Sequence, residues 1–248
     1  MIEITINGKA CPCEKGEFLL EVARRNGFYI PTLCHHPGVA EQGCCRVCLV
    51  EVVENKRSKI VVSCVYPVEQ PCEVYTDSAR VREDRGAVLM LLAARAPEST
   101  EIKALCKQYG AMDGSRFAPI EGEKCIMCGL CARACASLGT GAISTVMRGT
   151  SKKISTPYDE PSSACIGCLS CAKICPTRAI DFAEDEKKRS IWGREFELIR
   201  CKECGAPIGT KEEIEYAAMR CGEEPTYLCP DCRKKKMADV MAHAYGVE

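Results

Sequence analysis

Apolar residues at Ile2, Ile4 and Ile6 alternate with polar neighbours, the period of two that places one strand face inward. Asn7-Gly8 is a two-residue turn signal, so the chain is expected to open on a hairpin. The pattern then turns helical through Phe18-LLEVARR-Asn26, with Gly27 as the stop. A strand is expected after Cys48, and another through Ile60-VVSCVYPVE. Val81-REDRGAVLMLLAARA and Glu98-STEIKALCKQYG predict two helices, ended by Pro97 and Gly110. The apolar run 87–94 is about a third of the length a spanning helix needs, and it predicts a buried or partner-covered helix with no membrane span. Residues 136–164 leave room for a hairpin or contact loop. After the charged stretch Glu184-DEKKRS, a helix is expected from Thr210, where Glu213 completes a capping box.

Cysteine changes this picture most. Sixteen of the 22 cysteines fall into ligand spacings. Cys125-IM-Cys128-GL-Cys131-ARA-Cys135 and Cys165-IG-Cys168-LS-Cys171-AKI-Cys175-Pro176 repeat one pattern. Within such a pattern three thiolates wrap one cubane from a single tight loop, and the fourth Cys of each block ligates the other cluster. The expected quartets are Cys125, Cys128, Cys131 and Cys175 for one [4Fe-4S] cluster, and Cys135, Cys165, Cys168 and Cys171 for the second. Zinc would need fewer thiolates than these eight, and disulfides would need an oxidising compartment, for which the opening residues carry no secretory signal. Ala136 stands where the two-cluster pattern has proline.

Composition adds limits. Lys plus Arg equals Asp plus Glu at 34 each, so net charge makes no case for nucleic acid or an anionic membrane. The run Arg233-Lys-Lys-Lys236 reads as a solvated helix face. With few aromatics, each small module is expected to lean on its metal centre for stability. So many cysteines without a secretory signal point to a reducing, anaerobic cytoplasm.

Near the N-terminus, Tyr29-IPTLCHHPGVAEQGCCRVCLVEVVE and the following strand supply Cys34, Cys45, Cys48 and Cys64, a set suited to a [2Fe-2S] cluster at the edge of a β-grasp sheet. YIPTLC, then GxCRxC before a strand, then SCxxPVE, resembles the N-terminal ferredoxin domain of the large iron-sulfur subunit of complex I. The same module occurs in the iron-sulfur diaphorase subunit of NAD-linked hydrogenases and at the front of iron-only hydrogenases. The resemblance covers residues 1 to about 80 and continues from about 119 to 183. It favours Cys45 over the adjacent Cys44 as ligand. The His-and-three-Cys cluster of complex I relatives is missing, since 81–118 hold Cys106 and no His. His35 and His36, beside Cys34, are expected to be exposed loop residues, and His243 an ordinary C-terminal helix residue.

Cys201-KE-Cys204-Gly205 and Cys229-Pro-Asp-Cys232 form two knuckles, the mark of a four-thiolate tetrahedral site. Zinc is the first expectation, with a rubredoxin-like iron or a further cluster as alternatives. Cys11, Cys13, Cys44, Cys72, Cys106 and Cys221 are left over and expected as small buried side chains. No GxGxxG or GxxxxGK offers a nucleotide site, and no Ser/His/Asp order suggests nucleophilic catalysis.

The expected architecture is α+β and modular: a β-grasp [2Fe-2S] domain (1–80), a helical linker (81–118), a bacterial-type two-[4Fe-4S] ferredoxin domain (119–183) and a C-terminal four-Cys metal knuckle with helices (184–248). Its expected role is a non-catalytic electron relay in a multi-subunit oxidoreductase. The partners would be a flavoprotein NAD(P)-binding subunit and a second redox subunit. One alternative is the iron-sulfur subunit of a succinate or fumarate enzyme, although ten residues lie between Cys34 and Cys45 where that family's pattern has four. The other is a free-standing ferredoxin-like carrier or redox adaptor.

Overall fold

A computed structural model describes residues 1–111 and 117–246. The part of the expected linker at 112–116 and the last two residues of the expected C-terminal domain lie outside the described residues. The chain forms two compact units, Met1–Arg133 with Ile174–Ala179, and Ala134–Lys173 with Ile180–Glu248.

The first unit opens on β1 (Ile2–Ile6) and β2 (Lys9–Cys13), antiparallel with Ile2 opposite Cys13. Asn7 and Gly8 both take positive φ, which matches the right-handed twist of the hairpin they join. Helix α1 (Leu19–Arg25) buries Leu19, Leu20, Val22 and Ala23. Strands β3 (Leu49–Glu54), β4 (Arg57–Val62) and β5 (Glu73–Tyr75) complete a sheet of order β2-β1-β5-β3-β4, in which β1 and β5 are parallel. Asn7 ties the ends of β1 and β5 together: its Nδ2 donates to Thr76 Oγ1 at 2.8 Å and its Oδ1 accepts from Thr76 N at 3.0 Å. The inward Ile4, Ile6, Val50, Val52 and Val74 form the core with α1, and Cys11 and Cys13 share it.

Helices α2 (Ala79–Arg95) and α3 (Thr100–Tyr109) follow, each capped by a serine, Ser78 and Ser99, whose hydroxyl accepts from the backbone three residues on. Gly110 ends α3 in the left-handed conformation. Leu89, Ile102 and Cys106 from this helical pair pack with Leu33, Cys34, Cys45, Val47, Ile126 and Leu130. Each fully buried aliphatic side chain here stabilises the unit by about 1.5–3 kcal/mol. The helices therefore form the back wall of the cysteine loops.

The chain passes into the second unit within α4 (Leu130–Ser137). There β6 (Ser144–Val146) and β7 (Lys153–Ser155) form the hairpin expected between the cysteine blocks, followed by the short α5 (Ser170–Lys173). A meander that sequence reading missed comes next: β8 (Phe182–Glu184), β9 (Lys188–Ile191), β10 (Arg194–Arg200) and β11 (Pro207–Thr210), all antiparallel neighbours. The charged stretch is its first turn, where Asp185 Oδ1 accepts from the N–H groups of Lys187 and Lys188 at 2.7 and 2.8 Å. Ile191 and Phe196 pack on Ala142, Cys165 and Leu169. Helix α6 (Lys211–Cys221) starts on the expected cap, with Thr210 Oγ1 accepting from Glu213 N at 3.1 Å, and α7 (Pro230–Tyr245) carries the exposed basic run and His243. No helix among the described residues is long and apolar enough to cross a membrane.

Candidate iron-sulfur and metal sites

Cys34, Cys45, Cys48 and Cys64 are all buried, on the long loop before β3 and on the turn after β4. Ser63 fixes that turn against the loop, donating to the Cys48 carbonyl from Oγ at 2.8 Å and from N at 3.0 Å. Cys45 N–H donates to Cys34 Sγ at 3.4 Å. Thiols of Cys44, Cys45 and Cys64 also hydrogen-bond Cys34, which holds its pKa far below the ordinary thiol range. The Cys64 thiol likewise brings Cys48 down to about 6, while Cys64 and Cys45, as donors to Cys34, are pushed up. Four sulfurs sharing protons at close range are a donor set that a thiophilic metal would deprotonate.

Arg85 holds this loop, and sequence reading missed it. Its guanidinium is 1% exposed and donates to the carbonyls of Val47 (3.1 Å), Leu49 (2.7 Å) and Thr76 (3.0 Å). It stacks on Tyr109 at 4.7 Å and pairs with Asp77 at 3.4 Å. The available signal was its phase: Arg85 lies four residues after Val81 and four before Leu89, on the buried stripe of α2.

The two CxxCxxC loops share a backbone pattern. The residues flanking the middle cysteine are left-handed in both, Met127 and Gly129 around Cys128, and Gly167 and Leu169 around Cys168. Alternating handedness turns successive N–H groups inward, the nest geometry that cradles anionic clusters. Each non-glycine residue so placed costs about 1–2 kcal/mol. In the first loop Met127 N–H donates to Cys125 Sγ at 3.3 Å, and Ala179 N–H donates to Cys175 Sγ at 3.3 Å. Cys175 lies in the same unit as Cys125, Cys128 and Cys131, near enough to help burial raise their thiol pKa values. Burial pushes Cys128 up to about 11 and Cys131 up to about 12. The Arg133 guanidinium joins the two cysteine loops of this unit, donating to the carbonyls of Cys34 (2.9 Å), Cys128 (3.4 Å) and Ala40.

In the second unit Cys135, Cys165, Cys168 and Cys171 line one cavity, with Ile191 and Trp192. Ala136 lies inside α4, where proline would remove a helical N–H; Pro176, by contrast, follows the end of α5. The meander grips the second loop by its carbonyls. Arg194 reaches those of Ser162, Ser163 and Cys165 at 3.0, 3.0 and 2.6 Å; Arg189 reaches Gly167 at 2.7 Å; Thr210 Oγ1 reaches Ile166 at 2.5 Å. The Phe196 ring packs so closely on Gly167 that a Cβ there would lie 2.8 Å from it.

Cys201, Cys204, Cys229 and Cys232 have all four sulfurs within 4.8 Å of one another, and Cys204 Sγ lies 3.6 Å from Cys229 Sγ. A zinc–sulfur bond of about 2.3 Å in a tetrahedron separates thiolates by about 3.8 Å, so the set suits a single ion. Cys229 N–H donates to Cys201 Sγ (3.3 Å) and Cys232 N–H to Cys229 Sγ (3.4 Å). Backbone N–H groups of Cys204 and Cys229 bring Cys201 down to about 6.

Three expectations are corrected. His35 is not exposed: its ring is 5% exposed and lies between Glu21 (Nε2 to Oε1, 3.2 Å) and Glu41 (Nδ1 to Oε1, 2.8 Å), because the loop folds back over α1. His36 does stay outside. Of the leftover cysteines, Cys11, Cys13, Cys72 and Cys106 are buried, but Cys44 and Cys221 are exposed. Cys221 ends an amphipathic helix, and Cys44, although exposed as a residue, keeps its Sγ beside Cys34 and 3.1 Å from the Cys128 carbonyl.

A β-grasp domain with four converging thiols, followed by paired CxxCxxC nests, defines a chain of the iron-sulfur electron-transfer class. The model of a 2Fe-2S iron-sulfur cluster binding domain matches residues 1–79, and that of a 4Fe-4S dicluster domain matches residues 118–182. The chain is 30% identical over 215 residues to the NADP-reducing hydrogenase subunit HndD of Solidesulfovibrio fructosivorans, covering 73% of this chain and 36% of that protein. It is 29% identical over 134 residues to the mitochondrial NADH-ubiquinone oxidoreductase 78 kDa subunit of Candida albicans, covering 50% and 18%. With the NADH-ubiquinone oxidoreductase 75 kDa subunit of Reclinomonas americana it shares 28% over 183 residues, 63% of this chain and 26% of that one. It thus spans roughly a third or less of these curated relatives. A chain in a crystal structure of NAD+-reducing [NiFe]-hydrogenase in the H2-reduced state superposes with a TM-score of 0.60 at 27% identity, covering 72% of this chain and 86% of that chain. The resemblance to iron-sulfur subunits of complex I and of NAD(P)-linked hydrogenases holds.

Proposed function

We propose that this chain is the electron-relay subunit of a reducing-compartment, cytoplasmic oxidoreductase complex, passing single electrons between a flavin/NAD(P) subunit and a second redox subunit. Cys34, Cys45, Cys48 and Cys64 would hold one [2Fe-2S] cluster. Cys125, Cys128, Cys131 and Cys175 would hold one [4Fe-4S] cluster, and Cys135, Cys165, Cys168 and Cys171 the other. When bound, each cluster accepts and releases one electron. The protein supplies inward N–H groups, buried thiols and the carbonyl clamps of Arg85, Arg133, Arg189 and Arg194, which fix ligand positions and limit water. A nicotinamide exchanges a hydride, so a flavoprotein partner is needed to split electron pairs into singles. The NAD(P) and quinone chemistry named for its relatives supports a partner of that kind.

Cys201, Cys204, Cys229 and Cys232 would hold one structural zinc. The short separations among their sulfurs favour a single ion over a cubane, which spreads its thiolates over four iron corners. The observation that carries the relay reading is the exchange of cysteines between blocks. Cys175 sits with the first loop in one unit, and Cys135 with the second loop in the other, the crossed arrangement of a two-cluster ferredoxin.

Anaerobic purification from the native source, with iron, zinc, sulfide, flavin and co-purifying chains quantified, tests it. About ten iron and one zinc beside a flavoprotein is the expected result. About fourteen iron and no zinc would put a third cubane at the C-terminal cysteines. Zinc alone, or a chain with no partner, would replace the relay by an adaptor.

A further inference from the structure

Trp192 is the sole tryptophan of the chain and lies ten residues beyond the matched dicluster domain. It is the first residue of the two-residue turn joining β9 to β10, at φ +53 beside Gly193 at φ +72. Such turns favour asparagine or glycine at their first position, and a bulky aromatic there is a costly outlier. Packing holds it in place: Pro161 closes on Gly193, where an added Cβ would lie 3.2 Å from Pro161 Cγ, and Ile191 and Phe196 anchor the strands on either side. The indole lines the cavity of the second cysteine quartet, and its Nε1–H donates to Cys171 Sγ at 3.5 Å. Backbone N–H groups bond the sulfurs of Cys34, Cys125 and Cys175; at Cys171 the donor is a side chain, placed there by a strained turn.

We infer that Trp192 sets the reduction potential of the cluster held by Cys135, Cys165, Cys168 and Cys171, an inference that rests on the relay reading above. Reduction adds one electron, and part of that negative charge falls on the ligand sulfurs. A donor aimed at Cys171 Sγ stabilises the reduced form more than the oxidised form and raises the potential. Trp192 is a positioning and tuning residue, since it acts on the cluster through a ligand. The meander that presents it also grips the loop carbonyls, so one element positions both loop and donor.

The test compares wild type, Trp192→Phe and Trp192→His as anaerobically purified full chains in their complex. Each is titrated with dithionite against mediators and followed by EPR, with iron and sulfide counted. Phenylalanine keeps an apolar ring and removes the N–H; histidine restores a ring N–H. The expected result is an unchanged iron count and one cubane signal whose potential falls in Trp192→Phe and returns part of the way in Trp192→His, with the [2Fe-2S] signal and the other cubane unmoved. Loss of one cubane in Trp192→Phe with retention in Trp192→His at a near-native potential would also support the donor. Equal potentials in all three proteins would overturn the inference, as would loss of the same cubane in both variants, which would make the ring packing alone. Wild-type protein without cubane signals would sink the relay reading itself; full wild-type signals with an unshifted Trp192→Phe would sink only this inference.

Discussion

The first and second CxxCxxC loops share one ligand spacing and one pattern of left-handed residues, yet they rest on different supports. The first leans on helices, with Leu89 and Ile102 behind it and Arg133 tying it to the loop of Cys34. The second is gripped from a sheet, by Arg189, Arg194 and Thr210 at its carbonyls and by the Phe196 ring beneath Gly167. Identical motifs thus acquire different supports and different hydrogen-bond donors, the kind of surroundings that tune a metal site.

The largest expected effect falls on the helical side. Arg85→Met leaves three buried carbonyls without their donor and should cost about 3–5 kcal/mol, read as a lowered denaturant midpoint together with loss of the [2Fe-2S] EPR signal. Unchanged stability would show that the clamp is dispensable.

A sharper contrast comes from one substitution made in both loops. Gly167→Ala must push its Cβ into the Phe196 ring at φ +69 and should cost about 2–4 kcal/mol, with iron lost from the second quartet. Gly129→Ala at φ +71 meets only the flexible Gln42 side chain at 3.3 Å and should cost about 1–2 kcal/mol, with iron retained. Thermal melts with iron counts decide it, and equal losses would erase the distinction between the supports.

The smallest effect is a pH dependence confined to the sheet side. Burial raises the Glu213 carboxyl pKa above its ordinary value, against the backbone N–H of Thr210 and the charges of Arg189 and Lys173. The folded state therefore binds this proton more tightly than the unfolded state. The stabilising contribution is fully present below the unfolded pKa and is lost as pH rises through the folded one. Glu213→Gln keeps the capping partner and should flatten that segment of the stability-versus-pH curve relative to wild type; parallel curves would refute it.

Much of the site was legible before the structure. Spacings of two or three residues place thiols on one turn whatever lies around them, and fourteen of the sixteen candidate ligands stand that way, whereas Cys34 and Cys64 are separated from the next cysteine of their set by ten and fifteen residues. Alternating isoleucines, the Asn7-Gly8 turn, the paired helices and the Thr210 cap were equally local. The meander was harder to see, because Arg189 is buried among charged neighbours and breaks the alternation expected of its strand. His35 was misread for a similar reason: Glu21 and Glu41, the groups that enclose it, stand 14 and 6 residues away.

What the sequence determined by itself was the chemistry: which thiols are available, in what spacing, and that they suit iron-sulfur clusters. Tertiary structure decided what surrounds them. Arg85 reaches a carbonyl 38 residues away, Thr210 one 44 away, and Trp192 a sulfur 21 away. A ligand motif is written in neighbouring residues because one loop must close around one cluster. Its support is assembled across long separations, where the chain's return path is set by burial of side chains far from the motif.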